Sequence, residues 1–351
     1  MSIISKSFFG SAGPRLSVTH CQGMGKAKTK IENLELGSCR TLCTAAIVAA
    51  LLLTLLGCEE TFNPKAAFEE QLVLCSVLTT RSDSQFVRVY TTYNPSGHNP
   101  LESSADTYVR NALVKLTVDS ITTTLPSVDI KRTDKTRYTD DIIAYVAYPH
   151  ALQPGKTYKL NVTSDKGNAE AAVSVPGRGE VSANNPYVLK SPDKYEEDVS
   201  SRIRLSSSTH GYLVRIILEF ETRLASLVTR HREEIPSAVY TGGGSSLQFV
   251  YPILTRRNTS PFVSSELASF GLDAYKIFLV DLKSRYGAIT LTGATYILTQ
   301  VDRSLYTYYN LANGFQDPYS IRTDLPDYTN VQGGMGIFGA LVEDSVFVDL
   351  R

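Results

Sequence analysis

The chain has 351 residues, a length that accommodates about two domains. Hydrophobic residues make up 42% and charged residues 20%, with a mean hydropathy of −0.09, which excludes full-length disorder and a multi-span membrane protein. Lys and Arg number 35, as do Asp and Glu; without a basic excess, nucleic-acid binding by phosphate neutralisation is not expected.

In chain order, the first informative segment follows Arg40, where a charge-free run extends from Thr41 to Gly57. Its apolar core, Leu42 to Leu56, falls short of the roughly 20 residues of a bilayer-spanning helix and matches a signal-peptide hydrophobic region. The run ends Leu55-Leu56-Gly57-Cys58, the pattern of a lipobox. In that chemistry the thiol receives a diacylglyceryl group, the chain is cut before the cysteine, and the new amine is acylated. Cys58 is therefore the expected lipidation site, and three acyl chains would anchor it far more firmly than one. Residues 1–57 read as a signal peptide. They exceed the usual length of roughly 15–30 residues, so residues 1–23 are read as an upstream extension, with Met24 as the alternative start. The leader carries Lys6, Arg15, Lys26, Lys28, Lys30 and Arg40 against Glu32 and Glu35, which leaves the remainder mildly acidic. Of five cysteines, Cys21, Cys39 and Cys43 lie in the leader; only Cys75 follows Cys58, within the apolar run Leu72–Leu78, where it reads as a small buried hydrophobe. No disulfide framework or zinc cluster is expected.

Residues 58–70 read as a polar, lipidated tether, with Glu59 and Glu60 directly behind the cysteine. From 71 to 180 the chain reads as a β-sandwich of the immunoglobulin or transthyretin type. Gln71–Leu78 is a strand. Gln85–Tyr93 alternates, with Phe86, Arg88 and Tyr90 on one face and Val87 and Val89 on the other. A polar loop, Asn94–Asp106, precedes a strand at Ala112–Val118 with Ala112, Val114, Leu116 and Val118 inward. Further strands are expected at Ile142–Tyr148, Lys159–Thr163 and Ala169–Val175, with turns at Pro154-Gly155 and Asp165–Asn168. Residues 181–198 read as an interdomain linker that also offers an edge strand near Tyr187–Leu189.

A second β-rich domain with one or two short helices is expected over 199–351. Its strands are Tyr212–Phe220, Leu247–Leu254, Tyr275–Lys283, Ile289–Val301 and a closing Asp344–Leu350, with a flexible turn at Gly242-Gly243-Gly244. A short helix is expected at Ser264–Phe270, capped by Ser264 or Ser265, and another at Asp302–Asn313, with Asp302 as N-cap and Gly314 as its stop. The fold class is thus mostly β throughout.

Catalytic constellations are scarce. Gly334, Gly336 and Gly339 satisfy G-x-G-x-x-G, but only 12 residues follow, too few for the helix and acidic residue of a dinucleotide site. These glycines more simply serve positive-φ turns or a close strand crossing. His98, His150 and His210 are isolated, and His231 and Glu234, three apart on a charged stretch, read as a solvated face. Asp140-Asp141 lacks the spaced oxygens of a calcium loop. Tyr306, Tyr308, Tyr309, Tyr319 and Tyr328 crowd a short interval, either as helix packing or as a surface for sugars and protein partners. No catalytic residue, cofactor site or metal site is expected.

The run Asn310–Ala340, with Asn330-Val331-Gln332-Gly333-Gly334-Met335-Gly336-Ile337-Phe338-Gly339 at its end, resembles the family of domain of unknown function number 4249, lipoproteins of Bacteroidota and relatives. The Leu152-x-Pro154-Gly155-x-x-Tyr158-x-Leu160 turn and the Val175-Pro176 exit also fit. The resemblance implies an outer-membrane lipoprotein, on the periplasmic face or cell surface, encoded near outer-membrane transporters; it brings no activity and no site residues. The expectation is a non-catalytic binding or accessory module, anchored to the membrane at Cys58, with an outer-membrane transporter as partner. A structural or adhesive surface protein, and an enzyme with a dispersed acid/base pair, are the alternatives.

Overall fold

The structure, a computed structural model, describes residues 68–94, 107–133, 140–224, 227–241, 247–258, 265–313 and 328–351. The leader, Cys58 and most of the tether lie outside the described residues, as do His98, Gly242-Gly243-Gly244, Ser264, Gly314 and Tyr319.

The first half builds β1 (Leu72–Thr79), β2 (Gln85–Thr91), β3 (Leu113–Val118), β4 (Ile121–Leu125), β5 (Ser127–Ile130), β6 (Ile142–Ala147), β7 (Thr157–Ser164), β8 (Gly167–Ser174) and β9 (Glu180–Ala183). The second half begins with helix α1 (Pro186–Lys190) and β10 (Val199–Arg204). It continues with β11 (Gly211–Leu224), β12 (Leu227–Glu234), β13 (Ala238–Thr241), β14 (Leu247–Val250), β15 (Thr255–Arg256) and β16 (Glu266–Phe270). Then follow α2 (Leu272–Tyr286), β17 (Ile289–Val301), α3 (Arg303–Asn313), β18 (Val331–Gln332) and β19 (Met335–Asp349). The mostly-β class expected from the sequence is the class observed. Among the described residues no helix is long and apolar enough to cross a membrane.

One long sheet, ordered β12-β11-β17-β19-β1-β2-β6-β5, runs through both halves. A five-stranded sheet, β18-β8-β7-β3-β4, faces its β1–β2 end, and alternation decides what lies between them. Leu72, Leu74 and Leu78 of β1 and Val87 and Val89 of β2 meet Val114 and Leu116 of β3 and Tyr158, Leu160 and Val162 of β7. This is the expected sandwich, with Val114, Leu116 and Val118 inward as the sequence requires. At the other end, Val214, Ile216, Leu218 and Phe220 of β11 and Ala294, Tyr296 and Leu298 of β17 pack on α2 and on the small sheet β16-β10-β9.

Strand β19 belongs to both assemblies. Its first half pairs in parallel with β1, from Val73 opposite Met335 to Thr79 opposite Leu341. Its second half pairs antiparallel with β17, from Val301 opposite Leu341 to Gly293 opposite Asp349. Phe338, Ala340 and Val342 accordingly enter the first core, whereas Val346, Val348 and Leu350 enter the second.

Four sequence expectations are corrected. Tyr275–Lys283 is helix rather than strand, because Leu272, Tyr275, Phe278, Leu279 and Leu282 recur at helical spacing and bury one face. The β-branched Ile277 and Val280 obscured that period. Ser264–Phe270 is not a helix; its described part is strand β16, held by antiparallel pairing with β10. The segment 181–198 is built into the second core, with Val188 and Leu189 buried on α1 in place of an edge strand at Tyr187–Leu189. Finally, the closing strand begins nine residues early, at Met335 rather than Asp344.

The helix at Arg303–Asn313 starts as expected. Asp302, nearly fully buried, accepts the Ser304 N–H at 2.6 Å, the Leu305 N–H at 3.3 Å and, across on β19, the Ala340 N–H at 2.8 Å. One carboxylate therefore caps α3 and fastens it to the sheet. Burial lifts its carboxyl above the usual carboxylate range, although the three N–H donors pull the other way.

Gly336 explains how β1 and β19 come together. It has φ +111°, and a Cβ there would overlap the Leu74 carbonyl oxygen. Gly336→Ala is expected to cost about 2–4 kcal/mol in urea unfolding, whereas Gly155→Ala, at φ +80° in open space, costs about 1 kcal/mol of backbone strain. The raised Asp302 pKa gives a second prediction. The folded state holds this proton more tightly than the unfolded chain, so the group's stabilising contribution is complete below the ordinary carboxylate range and declines as pH rises through the raised value. Wild type should lose stability relative to Asp302→Asn over the pH interval that begins at the ordinary carboxylate value of about 4 and extends upward. Urea midpoints of both proteins across that interval provide the check, and a constant difference contradicts it.

Candidate functional site

Because β2 alternates, burying Val87 and Val89 leaves Phe86, Arg88 and Tyr90 on the outer face of the long sheet. The segment after the polar loop then runs beside β2. The Thr91 N–H donates to the Thr107 carbonyl at 3.0 Å, the Val109 N–H donates to the Val89 carbonyl at 3.1 Å, and Tyr108 bridges Tyr90. This local pairing delivers Tyr108 to the side chain of Arg88.

The resulting cluster is built around the exposed Arg88. Its guanidinium carbon stands 5.8 Å from the Tyr90 ring centroid and 5.6 Å from that of Tyr108. Arg88 Nη2 donates to the Tyr108 hydroxyl at 2.8 Å, and Arg132 Nη2 donates to the same oxygen at 3.3 Å. Arg132 is itself positioned by the Asp140 carbonyl, which accepts from its Nε at 2.9 Å, and by Asp141 Oδ1, which accepts its backbone N–H at 3.2 Å. The Asp140-Asp141 pair thus serves this arginine. Tyr90 Oη lies 3.3 Å from Cys75 Sγ; burial, then this hydrogen bond, pushes the Tyr90 phenol far up, and Tyr308 on α3 acts in the same sense. The Tyr90 phenol therefore stays protonated at neutral pH.

Among the described residues Arg88 has no carboxylate within ion-pair distance. The outer face of β11 and β12 is different. There Arg230 pairs with Glu221 at 3.1 Å and Arg232 with Glu219 at 3.2 Å, each directly across the ladder, and Arg215 lies 3.5 Å from Glu343. A cleft of ≈ 570 Å³ adjoins Tyr108 and is lined also by Glu70, Arg110, Asn111, Asp165 and Lys166. Lys166 there pairs with Glu70 at 2.9 Å, and Arg110 pairs with Asp129, outside the cleft, at 3.2 Å.

The structure separates the residues that the sequence brings together. Tyr306 packs edge-on to His210 at 5.1 Å and covers Gly211. Tyr308 and Tyr309 remain 42% and 43% exposed, and Tyr328 is half-buried. His231 stacks on Phe220 at 5.1 Å and bonds Thr222 Oγ1 at 2.9 Å. Glu234, three residues along the same strand, faces Arg215 on the opposite side, so the two do not converge. Cys75 is half-buried on the outer face rather than in the core. Among the described residues no group of three His, Cys, Asp or Glu could hold a metal ion. Sequence alternation placed Arg88 and Tyr90 on one face; Tyr108 and Arg132 come from separate loop segments and left no local signal.

Tyr108→Phe removes the oxygen shared by both arginines. The expected cost is about 1 kcal/mol in urea unfolding, the net worth of such surface hydrogen bonds, with the fold retained by circular dichroism. A loss several times larger would show that this hydroxyl holds the loops in place.

A family model described as a domain of unknown function, DUF4249, matches residues 59–346. Among solved structures, the chain is similar to the C-terminal globular domain of oligosaccharyltransferase from Pyrococcus abyssi. The identity is 8% and the TM-score 0.20, over 66% of this chain and 46% of that one, so the chain spans less than half of that protein's length. At that TM-score the likeness carries no argument. No curated protein matches.

Proposed function

The chain belongs to the DUF4249 family, and we propose that it is a non-catalytic binding module, lipid-anchored at Cys58 in the outer membrane and working beside an outer-membrane transporter. The observation that carries the binding role is Arg88, exposed, held against two tyrosine rings and lacking an acidic partner among the described residues. A scaffold gains little from orienting an unpaired guanidinium in this way. A binding surface gains an oriented donor whose side-chain entropy is already restricted. The anchor rests on the sequence Leu55-Leu56-Gly57-Cys58 behind its charge-free run. Tyr308 and Tyr309, exposed on α3, offer contact area at low entropic cost.

Two measurements test the two parts. Cells fed an alkyne-bearing fatty acid should label the wild-type chain, and Cys58→Ala should abolish the label and release the protein from membranes; unlabelled wild type ends the anchor reading. A photo-crosslinking residue at Tyr309 should capture an outer-membrane β-barrel transporter, and the same residue at Val280, exposed on α2, should not. Indistinguishable products from the two positions count against the binding face.

A further inference from the structure

We propose that the Arg88–Tyr90–Tyr108 cluster binds the carboxylate of an acidic sugar, a uronic acid residue within a glycan. This deepens the binding-module reading and rests on it. A guanidinium offers five N–H donors in a fixed fork, and among the described residues only one of those at Arg88 makes a side-chain hydrogen bond, to Tyr108. The exposed remainder of the fork matches a carboxylate, which takes two parallel N–H bonds.

The Tyr108 oxygen already accepts from Arg88 and Arg132, so its own O–H is left to act as a donor. The two donors belong to one residue pair whose geometry is fixed before any ligand arrives. Charge favours carboxylate over phosphate. Arg88 supplies one guanidinium without an acidic partner, whereas the Arg132 guanidinium is already committed, its Nε to the Asp140 carbonyl and its Nη2 to the Tyr108 hydroxyl. A phosphate dianion would call for a second free cation, and a singly charged group does not. The tyrosine rings set the rest of the ligand. Tyr90 and Tyr108 flank the cation, and Tyr308 lies near enough to act on the Tyr90 phenol. Aromatic faces of this kind stack against the C–H faces of a pyranose ring, and their hydroxyls bond its polar edge. An aromatic-flanked arginine fork therefore reads both features of a uronate, its ring and its charge.

The experiment uses the full-length acylated protein in a sugar-free detergent, with immobilised polygalacturonate as probe. Its fully methyl-esterified form, with the same rings and no charge, and poly-glutamate, with the charge and no rings, are the comparisons. Wild type should be retained on polygalacturonate well above both. Arg88→Ala should weaken retention about 10- to 100-fold, the loss expected of a charge-assisted hydrogen-bonded pair. A cooperative urea transition that leaves Arg88→Ala fully folded under the binding conditions shows that the loss is not unfolding. The proposal is overturned by absent retention of wild type, by equal retention on the ester or on poly-glutamate, or by retention that survives Arg88→Ala. Continued transporter capture from Tyr309 in those cases shows that the ligand class failed and the binding-module reading did not.

Discussion

Strand β19 holds this protein together by joining β1 of the first half to β17 of the second within one sheet. Leu341 stands opposite Thr79 of β1 on one side and Val301 of β17 on the other, so the ladder passes from one neighbour to the next at a single residue. Phe338, Ala340 and Val342 enter one core, and Val346 and Val348, near the strand's end, pack against the other. Parallel pairing at close range needs backbone without side chains in the way, which is why Gly336 stands against the Leu74 carbonyl. The glycine-rich signature is thus a packing requirement of two backbones.

That pairing also positions the candidate site. β1 lies between β19 and β2, and the β1–β2 register places Cys75 opposite Arg88 and Val73 opposite Tyr90. Helix α3 covers the same outer face, because Leu305 sits over Gly339 and Asp302 bonds the Ala340 backbone. The buried carboxylate at the start of α3 is therefore a positional element for Tyr308, one whose solvation cost three N–H bonds offset only in part.

Two halves of one sheet surface carry opposite electrostatic designs. Around β11 and β12, arginines and glutamates face each other across the ladder, and such exposed pairs contribute little stability individually while keeping an edge strand unattractive to other strands. Around β2 the arginine is oriented by aromatic rings instead. The first arrangement neutralises a surface and the second leaves it available.

Local sequence determined whatever depends on period and on immediate neighbours. The two-residue alternation of β2, β3 and β7 fixed which side chains are inward, and with it the shared face of Arg88 and Tyr90. The Asp302 cap of α3 and the hydrophobic run ending at Cys58 are likewise local, the latter a reading that rests on sequence alone. Tertiary structure decided the rest. Helix α2 is buried on one face and carries β-branched residues, so its composition imitated a strand until packing settled the period. β16 exists because β10 pairs with it, and β19 begins at Met335 because β1, some 260 residues earlier, supplies its ladder. Tyr108 and Arg132 meet at one oxygen for the same reason: hydrogen bonds between distant segments carry no period that a single sequence can display.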